Sequence, residues 1–218
     1  EEAAEVSVSF LHGRTWTPRP FTIPLNEVHH RLLAAWRELG PEQQAIRALY
    51  AGGTLAHEAA LILEPLLGPV ATNLVPGSLG RHRVTDLGAD EFTVGRPHPM
   101  IDSTLRAEVI RQATTEPDVA VLLLDIVLGY GAAPDPASDL APAIEAERAE
   151  ARAHGRGLAV VVSVIGTPGD PQGHDTQMAR LEAAGAWVLP SNAQAARAAA
   201  CIAGGDAVAQ SLLGSGLR

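Results

Sequence analysis

From residue 45 onward, short apolar runs alternate with longer amphipathic segments along the chain. Two runs, "DVAVLLLDIVL" at 118–128 and "GLAVVVSVI" at 157–165, are continuously apolar, which is typical of strands buried on both faces. The segment between them, at 139–155, has the spacing of an amphipathic helix. Strands that alternate with helices predict a parallel sheet covered on both sides. The pattern therefore predicts an α/β protein with a flavodoxin-like three-layer sandwich.

Residues 1–44 follow a different pattern, which we interpret as an N-terminal arm or linker with one helix. "VSVSF" at 6–10 alternates apolar and polar residues and predicts a short strand. "NEVHHRLLAAWREL" at 26–39 predicts the helix. The regular alternation extends over residues 45–204, which we expect to form one domain, and residues 205–218 are expected to be a flexible tail.

The first predicted strand, at 45–50, is followed by Gly52, Gly53 and Thr54 and then by an amphipathic segment. Glycines allow close approach of the backbone, and threonine is a favoured helix N-cap. A helix that begins here directs free N–H groups and the positive end of its dipole at whatever lies in front. We therefore predict that Thr54 caps a helix whose first turn can hold an anion.

Three loops rich in Gly, Pro and Asp follow predicted strands, at 51–54, 128–136 and 166–174. In a parallel sheet, ligands bind beyond the carboxyl ends of the strands, near the point where the strand order reverses. Such loops also carry turn residues for structural reasons alone. The similar chemistry of three separate loops favours a phosphate or substrate site. Its candidate residues are Gly52, Gly53, Thr54, Asp125, Gly129, Gly166, Asp170 and Gln172.

Two of the candidate side chains leave alternatives open. Asp125 interrupts an apolar strand, where a carboxylate must be hydrogen-bonded or paired; it either accepts N–H bonds from a neighbouring loop or faces the ligand. His174 lies at the beginning of a predicted helix, at the same edge of the sheet. It is the candidate catalytic residue, as an acceptor of a phosphoryl group, and the alternative is a surface histidine beside a helix cap.

Composition narrows the classes of partner. The net charge of −9 argues against binding to nucleic acid or to anionic membranes, because both need a basic face. All 16 basic residues are arginine, so a lysine-containing phosphate loop and a lysine base are excluded. The single cysteine, Cys201, excludes an intrachain disulfide framework and favours the cytoplasm; we interpret it as a small buried side chain. We assign no metal site.

Several stretches resemble the carboxyl-terminal domain of succinyl-CoA synthetase-type ligases. "YAGGTLAHEA" at 50–59 resembles the segment in which a Gly-Thr-Leu turn opens a helix that faces a phosphohistidine. "ARLEAAGAWVL" at 179–189 resembles a helix and strand near the end of that domain. The combination of "YAGGTL", "LLLDIVLGYGAAPDPA" and "IGTPGDPQ" is more closely similar to the FdrA group of acyl-CoA synthetase-like proteins. The chain departs from the ligases after His174, where their Gly-His-Ala-Gly-Ala segment is replaced.

The resemblance implies a ligase or transferase domain that binds a phosphate, an acyl phosphate or a carbamoyl phosphate at a helix N-terminus. It leaves the cofactor unknown: CoA or a Mg-nucleotide would bind only through a partner, which is a CoA-binding domain or another subunit of an oligomer. Two alternatives remain, a carbamoyltransferase subunit of oxamate or ureide breakdown and a non-catalytic assembly module.

Overall fold

The computed structural model describes residues 2–214. Its elements, in chain order, are α1 (Glu2–Leu11), α2 (Leu25–Glu38), β1 (Ala45–Tyr50), α3 (Gly53–Leu67), β2 (Val70–Thr72), β3 (His82–Asp86), α4 (Asp90–Thr93), α5 (Thr104–Thr114), β4 (Val119–Val127), α6 (Pro136–Ala153), β5 (Ala159–Ile165), α7 (His174–Ala183), β6 (Trp187–Leu189) and α8 (Asn192–Leu213). The alternation of strands and helices predicted from residue 45 is confirmed.

The six strands form one sheet in the order β2-β3-β1-β4-β5-β6, and every neighbouring pair is parallel. Helices α2, α3 and α8 pack on one face of the sheet, and α5, α6 and α7 pack on the other. The predicted three-layer α/β sandwich is therefore confirmed. After β1 the chain forms the edge strand β2, returns to β3 beside β1, and then crosses β1 to form β4 on its other side, so the strand order reverses between β1 and β4.

The two apolar runs lie in the middle of the sandwich. Eight of the nine residues of β4 are buried, and the side chains alternate between the two cores. Leu123 packs with the α3 and α8 layer, whereas Leu122 and Leu124 pack with the α5, α6 and α7 layer. A central parallel strand is covered on both faces, which explains why its sequence is continuously apolar.

The N-terminal segment differs from the prediction. Residues 6–10 lie within α1 and not in a strand, and no described strand pairs with them. A strand needs a neighbour to satisfy its backbone, whereas a helix satisfies its own, and Ser7 Oγ adds a bond of 2.7 Å to the Ala3 carbonyl. The prediction of a strand at 6–10 from the alternation of valine and serine was therefore wrong.

The end of the chain also differs from the expected loose tail. Helix α8 continues to Leu213 with a kink at Gly205, where φ is 70°, and Ala209 is fully buried. Residues 215–218 of the predicted tail lie outside the described residues. Cys201 is buried in α8, as expected, and desolvation raises the pKa of its thiol to about 12. Over residues 2–214, no helix combines the length and the apolar character that crossing a bilayer requires.

Candidate functional site

A cleft of about 200 Å³ opens at the carboxyl ends of β1 and β4, where the strand order reverses. Open α/β sheets bind their ligands at this position. The lining combines the first turn of α3 with residues from the end of β4 and from the loop before α5. These residues are Ala51, Gly52, Gly53, Thr54, Leu55, His98, Met100, Asp125 and Val127.

The N-terminus of α3 has no internal cap. The first backbone bond of the helix runs from the Ala56 N–H to the Gly52 carbonyl, at 3.3 Å. Among the described residues, none accepts a hydrogen bond from the N–H groups of Gly53, Thr54 or Leu55. The N-cap is Gly52, which has no side chain, so the prediction that Thr54 is the cap was wrong. Three backbone donors and the positive end of the dipole are therefore free to meet an acceptor in the cleft.

Asp125, on β4, binds the loop between β1 and α3 and a buried arginine. Its Oδ1 accepts bonds from the Ala51 N–H at 2.9 Å and from Arg106 Nη2 at 3.0 Å. Arg106 Nη2 also donates to the carbonyls of Leu49, at 3.1 Å, and of Asp125, at 2.6 Å. The bond to the neighbouring loop, one of the two roles left open for Asp125, is present. The residue also lines the cleft, and contact with a ligand stays a prediction.

The second oxygen of Asp125, Oδ2, is buried and has no hydrogen-bond partner among the described residues. Desolvation raises the pKa of this carboxyl, and the charge of Arg106 opposes the shift. Ser163 lies beside Asp125 on β5, in register, and its Oγ is another buried atom without a partner in the described part of the chain. A buried carboxylate oxygen normally has a donor, so Oδ2 is an unsatisfied acceptor on a residue that lines the cleft.

A second carboxylate, Asp86, stands behind the first turn of α3. Its Oδ1 accepts the Gly88 N–H at 2.8 Å, and its backbone N–H donates to Asn73 Oδ1 at 2.8 Å. A Cβ added to Gly53 would lie 3.0 Å from Asp86 Oδ2, so glycine at this position permits the close approach. Arg106 forms an ion pair with Asp125, whereas no arginine in the described part of the chain forms one with Asp86.

His98 lies in the opposite wall of the cleft, and the sequence analysis missed it. Its Nδ1 accepts the Met100 N–H at 3.2 Å, so the neutral ring carries its proton on Nε2. A Cβ on Gly88 would lie 2.6 Å from His98 Nε2 and 2.6 Å from the Ala51 carbonyl oxygen, so the imidazole and the β1–α3 loop both approach Gly88 closely. The signal was a histidine between two prolines in the loop that follows β3, the neighbour of β1.

Comparison with known proteins identifies the family. A sequence model of the CoA-ligase family matches residues 49–202, which is most of the chain and includes the cleft. The chain belongs to the CoA-ligase family. It is also 34% identical over 180 residues to the uncharacterized protein YahF of Escherichia coli (strain K12), over 78% of this chain. The match spans 35% of YahF, so the chain corresponds to about a third of that relative's length.

In this CoA-ligase domain, four predicted site residues build a contact between loops and do not line the cleft. Gln172 accepts the Gly129 N–H at 3.1 Å and donates to the carbonyls of Gly129, at 2.9 Å, and of Ala133, at 3.1 Å. Asp170 Oδ2 accepts the Thr167 N–H at 2.6 Å. A Cβ on Gly166 would meet Leu128 at 2.9 Å.

A backbone hydrogen bond also connects these contacting loops to the cleft. The Ala133 N–H donates to the carbonyl of Met100, a cleft residue, at 2.8 Å. The loop before α6 thus supports the segment that carries His98, and Gln172 supports that loop from the loop that follows β5. Gly129, Gly166, Asp170 and Gln172 have structural explanations of this kind, and a direct role in binding stays a prediction for each.

His174 is the first residue of α7 and does not line the cleft. Its side chain is 22% exposed, and Nδ1 lies 3.3 Å from Asp175 Oδ1. The predicted position at the start of a helix is confirmed, and the role of phosphoryl acceptor stays a prediction. Within residues 2–214, no three acidic, histidine or cysteine side chains cluster as metal ligands would.

A buried network fixes the far side of α3 in the CoA-ligase domain. Tyr50 donates to Asn192 Oδ1 at 2.7 Å, and Asn192 Nδ2 donates to the Leu55 carbonyl at 3.0 Å and to Glu58 Oε2 at 2.7 Å. Burial, aided by the charge of Asp125, raises the pKa of Tyr50 well above its ordinary value and keeps the phenol protonated. The first turn of α3 is therefore held rigidly between β1 and α8, which is the condition for preorganised backbone donors.

Proposed function

We propose that this CoA-ligase domain is the ligase or transferase domain of an FdrA-like acyl-CoA synthetase-type enzyme. In this proposal, the cleft holds a phosphate or the phosphoryl group of an acyl or carbamoyl phosphate. The observation that supports it is a set of three N–H groups, from Gly53, Thr54 and Leu55, that have no partner among residues 2–214 and lie at the reversal of the strand order. The proposed reaction and the single buried cysteine agree with a cytoplasmic enzyme.

The proposed chemistry depends on backbone donors because the chain has no lysine. Amide N–H groups that are fixed before the ligand arrives stabilise developing negative charge without reorganisation. The Nε2–H of His98 adds a side-chain donor from the other wall. Because Nδ1 is occupied by the Met100 N–H and Nε2 carries the proton, this imidazole is suited to donating a hydrogen bond and not to accepting a phosphoryl group.

The proposal includes a partner that supplies the rest of the reaction. A cleft of about 200 Å³ is smaller than the usual pocket for a whole cofactor, so CoA or a Mg-nucleotide would reach it from another domain or subunit. Apolar residues suited to such a contact are exposed in the loops at the same edge of the sheet: Tyr130 is 93% exposed and Val94 81%. The enzyme would then be an oligomer or a multidomain assembly.

A carbamoyltransferase subunit of oxamate or ureide breakdown is the second candidate, and Asp125 supports it. A carbamoyl group carries N–H donors beside an acceptor oxygen. The donors would satisfy Asp125 Oδ2, and the oxygen would accept bonds from the first turn of α3. A third candidate, an assembly module, is supported by α1, whose apolar residues Val6, Val8, Phe10 and Leu11 are exposed.

Filling the cleft tests the binding proposal. A Cβ on Gly52 meets no atom within 4 Å, and its φ of −165° is extended, so Gly52→Val adds bulk to the cleft without an internal clash. We expect this variant to bind inorganic phosphate and carbamoyl phosphate at least about tenfold more weakly in isothermal titration, because the new methyl groups occupy the ligand's place. Gly169→Val is the matched control, since the nearest atom to its Cβ is 3.7 Å away.

Equal affinity in wild type and Gly52→Val would contradict the proposed site. An assembly module predicts no binding of either compound in any of the three proteins. Preference for carbamoyl phosphate over acetyl phosphate would favour the carbamoyltransferase, because only the carbamoyl group brings N–H donors.

The two histidines can be separated in the same assay. We expect His98→Ala to weaken phosphate binding by about tenfold, the usual value of a hydrogen bond to a charged group. His98→Gln should restore part of the affinity, because the glutamine Nε2–H replaces the imidazole Nε2–H. His174→Ala should leave the affinity unchanged. If His174→Ala weakens phosphate binding and His98→Ala does not, His174 and not His98 would belong to the binding site.

A further inference from the structure

We propose that Asp125 makes the cleft selective for oxyanions that carry a proton, so that it binds hydrogen phosphate and rejects sulfate. This inference rests on the proposed function, since it concerns the ligand of the same site. It assigns Asp125 as the residue that determines specificity, beyond its structural pairing with Arg106.

The two oxygens of Asp125 have different surroundings. Oδ1 already accepts two hydrogen bonds, from the Ala51 N–H and from Arg106 Nη2. Oδ2 accepts none from the described residues, although the side chain is fully buried and lines the cleft. An ionised carboxylate can only accept hydrogen bonds, so a ligand that satisfies Oδ2 must bring a donor.

The α3 wall of the cleft, in contrast, offers donors and needs a ligand with acceptors. The N–H groups of Gly53, Thr54 and Leu55 need acceptor oxygens. A ligand that satisfies both walls therefore combines acceptor oxygens with one O–H or N–H donor. Hydrogen phosphate has this combination, whereas sulfate has the same shape and no proton. A sulfate oxygen would instead lie against the carboxylate, where two acceptors repel and Oδ2 stays without a donor.

The other groups near Oδ2 do not supply the hydrogen-bond donor that it lacks. Ser163 Oγ lies on the neighbouring strand but makes no hydrogen bond to Asp125. Asp86 lies behind Gly53 with Oδ1 bound to the Gly88 N–H, and as a carboxylate it offers Oδ2 of Asp125 no donor. Arg106 Nη2 donates to Oδ1 and to two carbonyls, and Arg106 makes no hydrogen bond to Oδ2.

The test compares inorganic phosphate with sulfate by isothermal titration of the intact chain at constant ionic strength. At mildly alkaline pH both ions are dianions, and only phosphate keeps a proton. We expect phosphate to bind wild type at least about tenfold more tightly than sulfate. In Asp125→Asn, the Ala51 and Arg106 donors keep the amide oxygen at the Oδ1 position, so the amide N–H group takes the place of Oδ2. This variant should gain sulfate binding and lose the preference for phosphate.

The outcomes are distinguishable. If phosphate and sulfate bind wild type equally and Gly52→Val abolishes both, the anion site stands and the selectivity proposal is overturned. If neither ion binds wild type, both proposals are overturned. The comparison of phosphate with sulfate binding to wild type tests the selectivity even if Asp125→Asn does not fold. Ser163→Ala provides a further check: retained selectivity supports Asp125 as its source, and lost selectivity overturns the proposal in favour of the serine.

Discussion

Replacing Arg106 with methionine is expected to lower the free energy of unfolding by about 3–5 kcal/mol, the usual cost of breaking a buried ion pair from one side. The substitution leaves Asp125 as an uncompensated carboxylate in the core and removes the donor to the Leu49 and Asp125 carbonyls. Urea denaturation measures the loss. Arg111→Met is the matched control, because Arg111 is exposed on the same helix, and it should change stability by less than about 0.5 kcal/mol.

The loss in Arg106→Met should also depend on pH. Desolvation raises the pKa of Asp125 in the folded protein, and Arg106 opposes that rise. An acid whose pKa is raised by folding contributes most stability below its unfolded pKa, and that contribution is lost as the pH rises through the folded pKa. Without Arg106 the folded pKa rises further. The deficit of the variant should therefore grow from acid to neutral pH, and a deficit independent of pH would contradict the assignment of Asp125 as its cause.

Replacing Gly88 with alanine is expected to damage both stability and binding. The new Cβ would lie 2.6 Å from the Ala51 carbonyl oxygen and 2.6 Å from His98 Nε2, so the β1–α3 loop and the imidazole must move apart. We expect a loss of about 1–3 kcal/mol in the free energy of unfolding, as for other overpacked sites. Phosphate affinity should fall by about tenfold, because the shift displaces donors from both walls of the cleft.

Gly169→Ala controls for the loss of a glycine, since its Cβ would make only an ordinary contact at 3.7 Å. Both properties should stay close to wild type in this control. A Gly88→Ala protein that loses stability but keeps its phosphate affinity would indicate that the contact between His98 and the β1–α3 loop does not position the ligand.

Part of the site follows from local sequence and part does not. The Gly52-Gly53 pair predicted a helix N-terminus at the end of the first core strand, because turn chemistry is local. Asp125 was conspicuous as the one charge in an apolar strand. His98 and Arg106 gave no comparable signal: His98 lies in an irregular loop, and Arg106 resembles any arginine on an amphipathic helix. Their roles depend on contacts with β1 and β4, which are distant in the chain.

The alternation of strands and helices, the burial of β4 and β5, and the edge of the sheet where the loops gather are all predictable from the sequence alone. These properties follow from the periodicity of apolar residues and from turn residues, which act over a few positions. Three features became clear only in the folded chain: the β1–α3 loop binds Asp125, Gln172 binds another loop, and His174 lies outside the cleft. The positions of these groups depend on the strand order. The strand order depends on packing between residues far apart in the chain, so a local sequence pattern does not predict it.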